Sequence, residues 1–385
     1  MRLSRRQFLA YGARVGALGF ALSAVPAWAR EAAAAGLGAP ALIERNAWPE
    51  HWETTVAALG QGATTANDAF FVRSHFPVPT VDRASYRLEV RGLVRTPLTL
   101  DLAALAALPA TRIRATLECA GNGRGLFPIA NTSGTQWERG AVGTADWGGV
   151  PLSLLLERAG VLPEAKHVWF EAADHATLPQ APPFLRSIPL TLARERGVIA
   201  LAMNGRPLPT RHGGPVRALV PGWYGMAWAK WVTRIRVEAA PSDNHFMAKG
   251  YRYSPVGGDP RTSPPVEAMR VKSLITSPLE GTRLAGPSIE VRGYAWSGAG
   301  DGTVEKVQVS ADGGGTFYDA VLEGENTPYA WRAFRGRVTP AARGRVVLSA
   351  RATDSTNETQ PAGADVNVGG YGNNSWHRVS VHVTG

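Results

Sequence analysis

The sequence predicts an α+β domain followed by a small β-sandwich. Three observations carry that expectation. The chain has 385 residues, enough for two domains of ordinary size. From about Asp68 to Asp259 it mixes short strand patterns, Gly/Pro turns and a few helices without a regular βαβ alternation. After "RTSPP", Arg261–Pro265, helical patterns give way to strands of period two.

The elements follow in chain order. Residues 1–29 read as an export leader. Ser4-Arg5-Arg6-Gln7-Phe8-Leu9 is a twin-arginine pattern, an apolar run extends from Val15 to Val25, and Ala27-Trp28-Ala29 is a small-residue cleavage site. The apolar run is short for a membrane span, so a cleaved leader is favoured over an anchor, and the mature protein is expected in the periplasm. The twin-arginine route carries folded proteins, which is a first hint of a cofactor loaded before export. Residues 30–66 read as an arm packed onto the domain by Trp48 and Trp52.

Within residues 67–262, Tyr86–Val90 alternates as a strand. Asp101 is placed to cap a helix reaching Leu108, and "PLSLLLERA", Pro151–Ala159, reads as a helix stopped by Gly160. Val216–Val220 and Val232–Val237 read as strands. Within residues 263–385, Ile289–Val291, Val307–Val309, Val346–Ala352 and Val379–Val383 read as strands, with Asp312–Gly315 and Asn373-Asn374 supplying turns.

Composition narrows the chemistry. One cysteine, Cys119, excludes an intrachain disulfide, a Cys-ligated iron–sulfur cluster and covalent C-x-x-C-H haem attachment within the chain. The formal charge of +10 falls to about +6 once the leader's Arg2, Arg5, Arg6 and Arg14 are removed. The basic residues are mostly arginine, which suits bidentate recognition of small oxyanions and phosphate. No basic helix or nucleic-acid motif accompanies the charge, so nucleic acid is not an expected partner. No second long apolar run follows the leader, so no membrane span is expected in the mature chain.

Cys119 sits in "ECAGNGR", Glu118–Arg124. Read alone, it is a small buried hydrophobe, a nucleophilic thiolate, or a ligand to a soft metal whose other ligands come from a cofactor. Gly121, Gly123 and Gly125 allow a tight turn, and Arg124 adds positive charge. "FFVRSHFPVP", Phe70–Pro79, places Arg73 and His75 between prolines, as an oxyanion loop or an ordinary surface loop. "RHGGPVRALVPGWYGMAWAKW", Arg211–Trp231, embeds His212, Arg217 and Lys230 among Gly, Pro and Trp.

These stretches, with "SWHRVSV" near the C-terminus, resemble the sulfite oxidase family of molybdenum enzymes in order and rough spacing, over roughly Asp68 to the end of the chain. The resemblance implies a sulfite-oxidase-type molybdopterin-binding domain, an immunoglobulin-like dimerisation domain and a homodimer. It implies that Cys119 binds molybdenum beside a pterin dithiolene. Arg73, Arg124, Trp137 and Tyr251 match substrate-pocket positions. Phe71, Val72, Arg73, Ser74, His75, Asp174, His212, Arg217, Trp228, Ala229 and Lys230 match positions around the pterin and its phosphate.

Some positions depart from the family pattern. A pocket arginine expected from the second domain is missing near Gly369, and a lysine is replaced near Ser133. Trp228 stands where a small residue is common. Fewer fixed charges predict weaker sulfite binding or a shifted substrate preference. The expected activity is sulfite oxidation to sulfate, with electrons leaving to an external cytochrome c because no haem domain is evident. The rival enzyme readings are the sulfane dehydrogenase subunit of a thiosulfate-oxidising complex and a methionine sulfoxide reductase. "GWYGMA" argues against the first, and the strands after Pro264 argue against the second. A secreted β-rich binding protein without cofactor is the non-enzyme alternative.

Overall fold

The computed structural model of the protein describes residues 40–128, 132–177 and 180–384. The expected export leader and the start of the expected arm lie outside these residues. No helix among the described residues is long and apolar enough to cross a membrane.

The rest of the arm is woven into the fold. Leu42–Asn46 pairs with His51–Thr54, which pairs in turn with Val72–Arg73, so that His51 lies opposite Arg73. Of the two tryptophans expected to anchor it, Trp52 is half-buried but Trp48 is 66% exposed. Glu53 adds a polar anchor. Its buried carboxylate accepts hydrogen bonds from Arg45 Nε at 2.6 Å and from the backbone N–H groups of Glu138 at 3.0 Å and Gly140 at 2.6 Å. A Cβ at position 140 would sit 1.7 Å from the Thr54 carbonyl oxygen, so only glycine permits this approach.

Two five-stranded sheets make the first domain. One runs Arg206–Pro207, Val198–Met203, Val142–Pro151, Thr111–Glu118, with Arg217–Leu219 also pairing with Val198–Met203. The other runs Leu98–Leu100, Leu88–Gly92, Val232–Glu238, His167–Ala172, Arg186–Pro189. Only the pair Leu88–Gly92 with Val232–Glu238 is parallel among the pairings of these two sheets. The expected helices form as Leu102–Ala106 and Leu152–Ala159. Asp101 caps the first through Ala104 N–H at 2.8 Å. The second buries Leu152, Leu155, Leu156 and Ala159 and ends where Gly160 turns left-handed at φ 64°.

The second domain stacks two sheets. Lys272–Ser277, Ile289–Trp296, Arg332–Val338 and Val321–Glu323 form one. Arg283–Ala285, His377–Thr384, Gly344–Asp354, Val304–Ser310 and Tyr318–Asp319 form the other. Alternating Val291, Val309, Phe334, Leu348 and Val381 fill the space between them. The Asp312 turn is as expected, its carboxylate accepting the N–H groups of Gly315 at 2.8 Å and Thr316 at 3.0 Å. Asn373-Asn374 does not form the turn expected of it. Both residues are buried, with Asn373 Nδ2 donating to the Gly123 carbonyl at 2.8 Å and Asn374 Nδ2 to Val271 at 3.1 Å.

This seam positions the cysteine loop. Glu118, buried at the end of its strand, accepts from Lys272 Nζ at 2.8 Å and Trp296 Nε1 at 2.9 Å, both in the second domain. Gly372 N–H donates to the Ala120 carbonyl at 2.9 Å. The loop is thus gripped from both sides of Cys119.

Candidate active site

Strand Thr111–Glu118 delivers Cys119 to a tight turn, in which Asn122 N–H donates to the Cys119 carbonyl at 2.9 Å and Arg124 N–H to Gly121 at 2.9 Å. The glycines are required because Arg124 folds back over the loop. A Cβ at position 121 would meet its guanidinium at 2.7 Å, and Gly123 has φ 92°. Cys119 is a free, half-buried thiol on the wall of a cleft.

Arg73, Ser74, His75 and Tyr251 line the same cleft. Arg73 Nη1 bonds His75 Nδ1, and His75 Nε2 lies 2.9 Å from Tyr251 Oη. A guanidinium only donates, so Nδ1 accepts. Burial, reinforced by the charge of Arg73, holds His75 well below its ordinary pKa and therefore neutral. The ring proton is then on Nε2 and is donated to Tyr251 Oη. The tyrosine hydroxyl keeps its own proton free to donate elsewhere. The Phe184 ring stacks on His75 at 4.0 Å and Phe246 meets it edge-on at 4.8 Å, fixing the imidazole plane.

Cations without carboxylates define another part of the cleft. Arg217 is buried. Its Nη1 donates to the His212 carbonyl at 2.9 Å, its Nε has no partner, and burial lowers its pKa to about 9. Lys230 Nζ donates to Ser74 Oγ at 2.6 Å and to the Arg211 carbonyl at 3.1 Å, and burial beside Arg217 holds its pKa well below the usual value. Neither residue has a carboxylate within 4 Å among the described residues. Asp174, also on the wall, has its pKa raised to about 6 by burial, against the pull of Lys230. Phe71 and Trp228 complete this side. Trp228 is accommodated by donating Nε1–H to the Trp223 carbonyl at 2.9 Å and meeting Trp147 edge-on at 5.8 Å.

Other expected residues stand back from the cleft. His212 is turned away, Nε2 bonding the Asn67 carbonyl at 2.8 Å, so it reaches the cleft only by holding Arg217 through its own carbonyl. Val72 pairs with Trp52, and the Ala229 carbonyl accepts from Ala218 N–H at 2.9 Å; neither side chain lines the cleft. Arg124 donates Nε–H to the Gly369 carbonyl at 2.8 Å and Nη1–H to Thr135 at 3.0 Å, and so braces the domain seam. Trp137 is fully buried against His51, with Nε1 unpartnered. Ser133 is exposed.

Several contributors carried no sequence signal. His51, in the arm, bonds Thr135 Oγ1 at 2.6 Å and the Ser74 carbonyl at 2.8 Å, joining the arm to two loops. Arg186 lies buried, 5.3 Å from the Tyr251 ring centre. Tyr371 stacks on Tyr251 at 5.1 Å and lies 5.2 Å from the Arg124 guanidinium. It stands two residues after Gly369, so the second domain offers an aromatic ring where an arginine was sought.

The buried histidines predict an acid-sensitive fold. Burial lowers the pKa of His51 and His212 to about 4 and holds that of His75 and His377 well below the ordinary value. Their contribution is complete above the ordinary value of 6.5 and is lost as pH falls toward the folded-state values. Asp174 works oppositely, its contribution being lost as pH rises through about 6. Four histidines outweigh one aspartate. Denaturant midpoints should therefore fall between pH 6.5 and 5, His51 and His212 each costing about 2 kcal/mol.

A cofactor with a soft metal and an anionic tail fits this geometry. The thiol is a soft donor, Arg217 Nε is an orphaned buried atom, and the cations lack acid partners. No group of three or more His, Cys, Asp or Glu residues converges among the described residues, so a metal at Cys119 would take its other ligands from a cofactor.

Comparison with known proteins agrees. The oxidoreductase molybdopterin binding domain matches residues 75–246, and the Mo-co oxidoreductase dimerisation domain matches residues 263–384. Arabidopsis thaliana sulfite oxidase is 32% identical over 376 residues, covering 89% of this chain and 94% of that protein. Mitochondrial sulfite oxidase of Mus musculus is 35% identical over 363 residues, covering 89% of this chain; the match spans 66% of the mouse protein's length. The crystal structure of the sulfane dehydrogenase SoxCD from Paracoccus pantotrophus superposes with a TM-score of 0.77 at 30% identity, covering 87% of this chain and 85% of that one. By these matches over both domains, the chain belongs to the sulfite oxidase family of molybdopterin enzymes.

Proposed function

We propose that this chain oxidises sulfite to sulfate at a molybdenum–pterin centre and passes the electrons to an external cytochrome c. The observation that carries the reading is one free thiol facing a cleft whose buried cations lack carboxylate partners. Cys119 would hold the metal. Phe71, Ser74, Asp174, Arg217, Trp228 and Lys230 would hold the pterin and its phosphate. Bound there, the centre supplies oxygen-atom transfer and takes up two electrons, so that one sulfite and one water give one sulfate, two protons and two electrons.

The chain's own groups bind and orient the anion. Arg73 is fixed by His75 and supplies a cation for the sulfite oxygens through charge-assisted hydrogen bonds. Tyr251 supplies the hydroxyl proton that His75 leaves free. Phe184 and Phe246 pack on the imidazole and hold its plane. Arg73→Gln should raise KM for sulfite roughly 10- to 100-fold with a smaller change in kcat, the loss of one charged hydrogen bond of about 1.5–3 kcal/mol. Steady-state kinetics check this, and an unchanged KM contradicts it.

Likeness to the sulfane dehydrogenase structure supports a second reading, with a protein-bound sulfane sulfur as donor. A screen of purified holoenzyme against sulfite, sulfane sulfur and methionine sulfoxide separates the readings. The leader sequence supports a periplasmic location, and the dimerisation-domain match supports a homodimer. Fractionation and light scattering test those two points.

A further inference from the structure

A second cleft, of about 430 Å³, opens at the seam between the domains. Its walls come from strand Thr111–Glu118, the start of helix Leu152–Ala159, the end of helix Leu190–Arg196, and Thr327–Tyr329 of the second domain. Four arginines line it: Arg112, Arg114, Arg194 and Arg196. Arg114 is occupied, because Asp146 takes its Nε at 2.8 Å and its Nη2 at 3.0 Å. The other three have no carboxylate within 4 Å among the described residues.

Another arginine cluster interleaves with acids: Arg234 bridges Glu89 at 2.6 Å and Glu171 at 2.9 Å, and Arg236 reaches Glu238 at 2.6 Å. In the seam cleft Arg196 lies 4.6 Å from the Tyr329 ring centre, and its Nε and Nη1 are buried with no hydrogen-bond partner. Leaving such donors unpaired is costly unless an acceptor visits them. Helix Leu152–Ala159 also starts here with no side chain capping it, so its positive end adds to the field. Glu195 is the one acidic residue among the cleft's lining residues.

We propose that this cleft binds a tetrahedral oxyanion of the phosphate or sulfate class, held by Arg112, Arg194 and Arg196. Because both domains line the site, occupancy ties them together. The anion binds the folded seam and not the unfolded chain, so it raises the melting temperature by linkage.

The test titrates wild-type holoenzyme with inorganic phosphate, and separately with sulfate, at ionic strength held constant with chloride. Calorimetric titration and thermal melting are the readouts. A saturable rise in melting temperature is expected, retained in Arg73→Gln and at least tenfold weaker in Kd in the exposed pair Arg112→Gln/Arg194→Gln. That double variant should otherwise melt like the wild type in chloride. No saturable binding by either anion overturns the proposal. So does binding that survives in the double variant or is lost in Arg73→Gln, since it then belongs to the first cleft. An effect that chloride reproduces at equal ionic strength reduces the site to screening and also overturns it.

Discussion

Cys119→Ser should abolish sulfite-dependent turnover while leaving the protein folded. The backbone of Cys119 has structural duties, its N–H donating to the Ala141 carbonyl at 2.9 Å and its carbonyl closing the turn to Asn122. Serine keeps both bonds. The side chain is half-buried and borders a cleft, so exchanging sulfur for oxygen leaves no large cavity. What serine cannot replace is the soft thiolate donor. Molybdenum content and turnover should fall together, with the denaturation midpoint near that of the wild-type apoprotein. Turnover retained in this variant would remove Cys119 from the metal.

Lys272→Met should cost about 3–5 kcal/mol, the usual consequence of removing one partner from a buried ion pair. Lys272 is 5% exposed and Glu118 is 1% exposed. Without the ammonium, the Glu118 carboxylate keeps only Trp296 Nε1 at 2.9 Å and Asn122 Nδ2 at 2.9 Å. Glu118 immediately precedes Cys119, so its displacement also loosens the loop that presents the thiol. Adding Glu118→Gln to Lys272→Met should recover much of the stability, because no charge then remains buried. A double-mutant cycle in urea measures the coupling. Additive losses would mean that the pair does not join the domains.

The strands and the two longer helical signals were legible because alternation, an N-cap aspartate and a stop glycine act locally. The arm was not. Its two strands exist because Val72–Arg73 offers an edge and Glu53 reaches Gly140, partners 20 and more residues away that no local pattern encodes. At the cleft, Cys119, Arg73 and Lys230 were readable as chemically unusual residues in glycine- or proline-bounded loops. Arg124 was readable as a charge near the thiol, but its direction was not, because that depends on carbonyls at Gly369 and Thr135. Asn373 and Asn374 show the same limit. Their residue type favours turns in general, while their burial follows from the second domain closing over the cysteine loop. Tyr371 and His51 became site residues only once the chain was folded.

Cys119 and the adjoining cationic cleft should hold a molybdenum–pterin centre for sulfur oxidation. Metal and pterin analysis of the purified protein, joined to an assay of sulfite-dependent reduction of an external cytochrome c, is the decisive experiment. Stoichiometric molybdenum and pterin are expected, with reduction that requires sulfite. A metal-free protein, or a loaded one that reduces no acceptor with any sulfur donor, would overturn this reading.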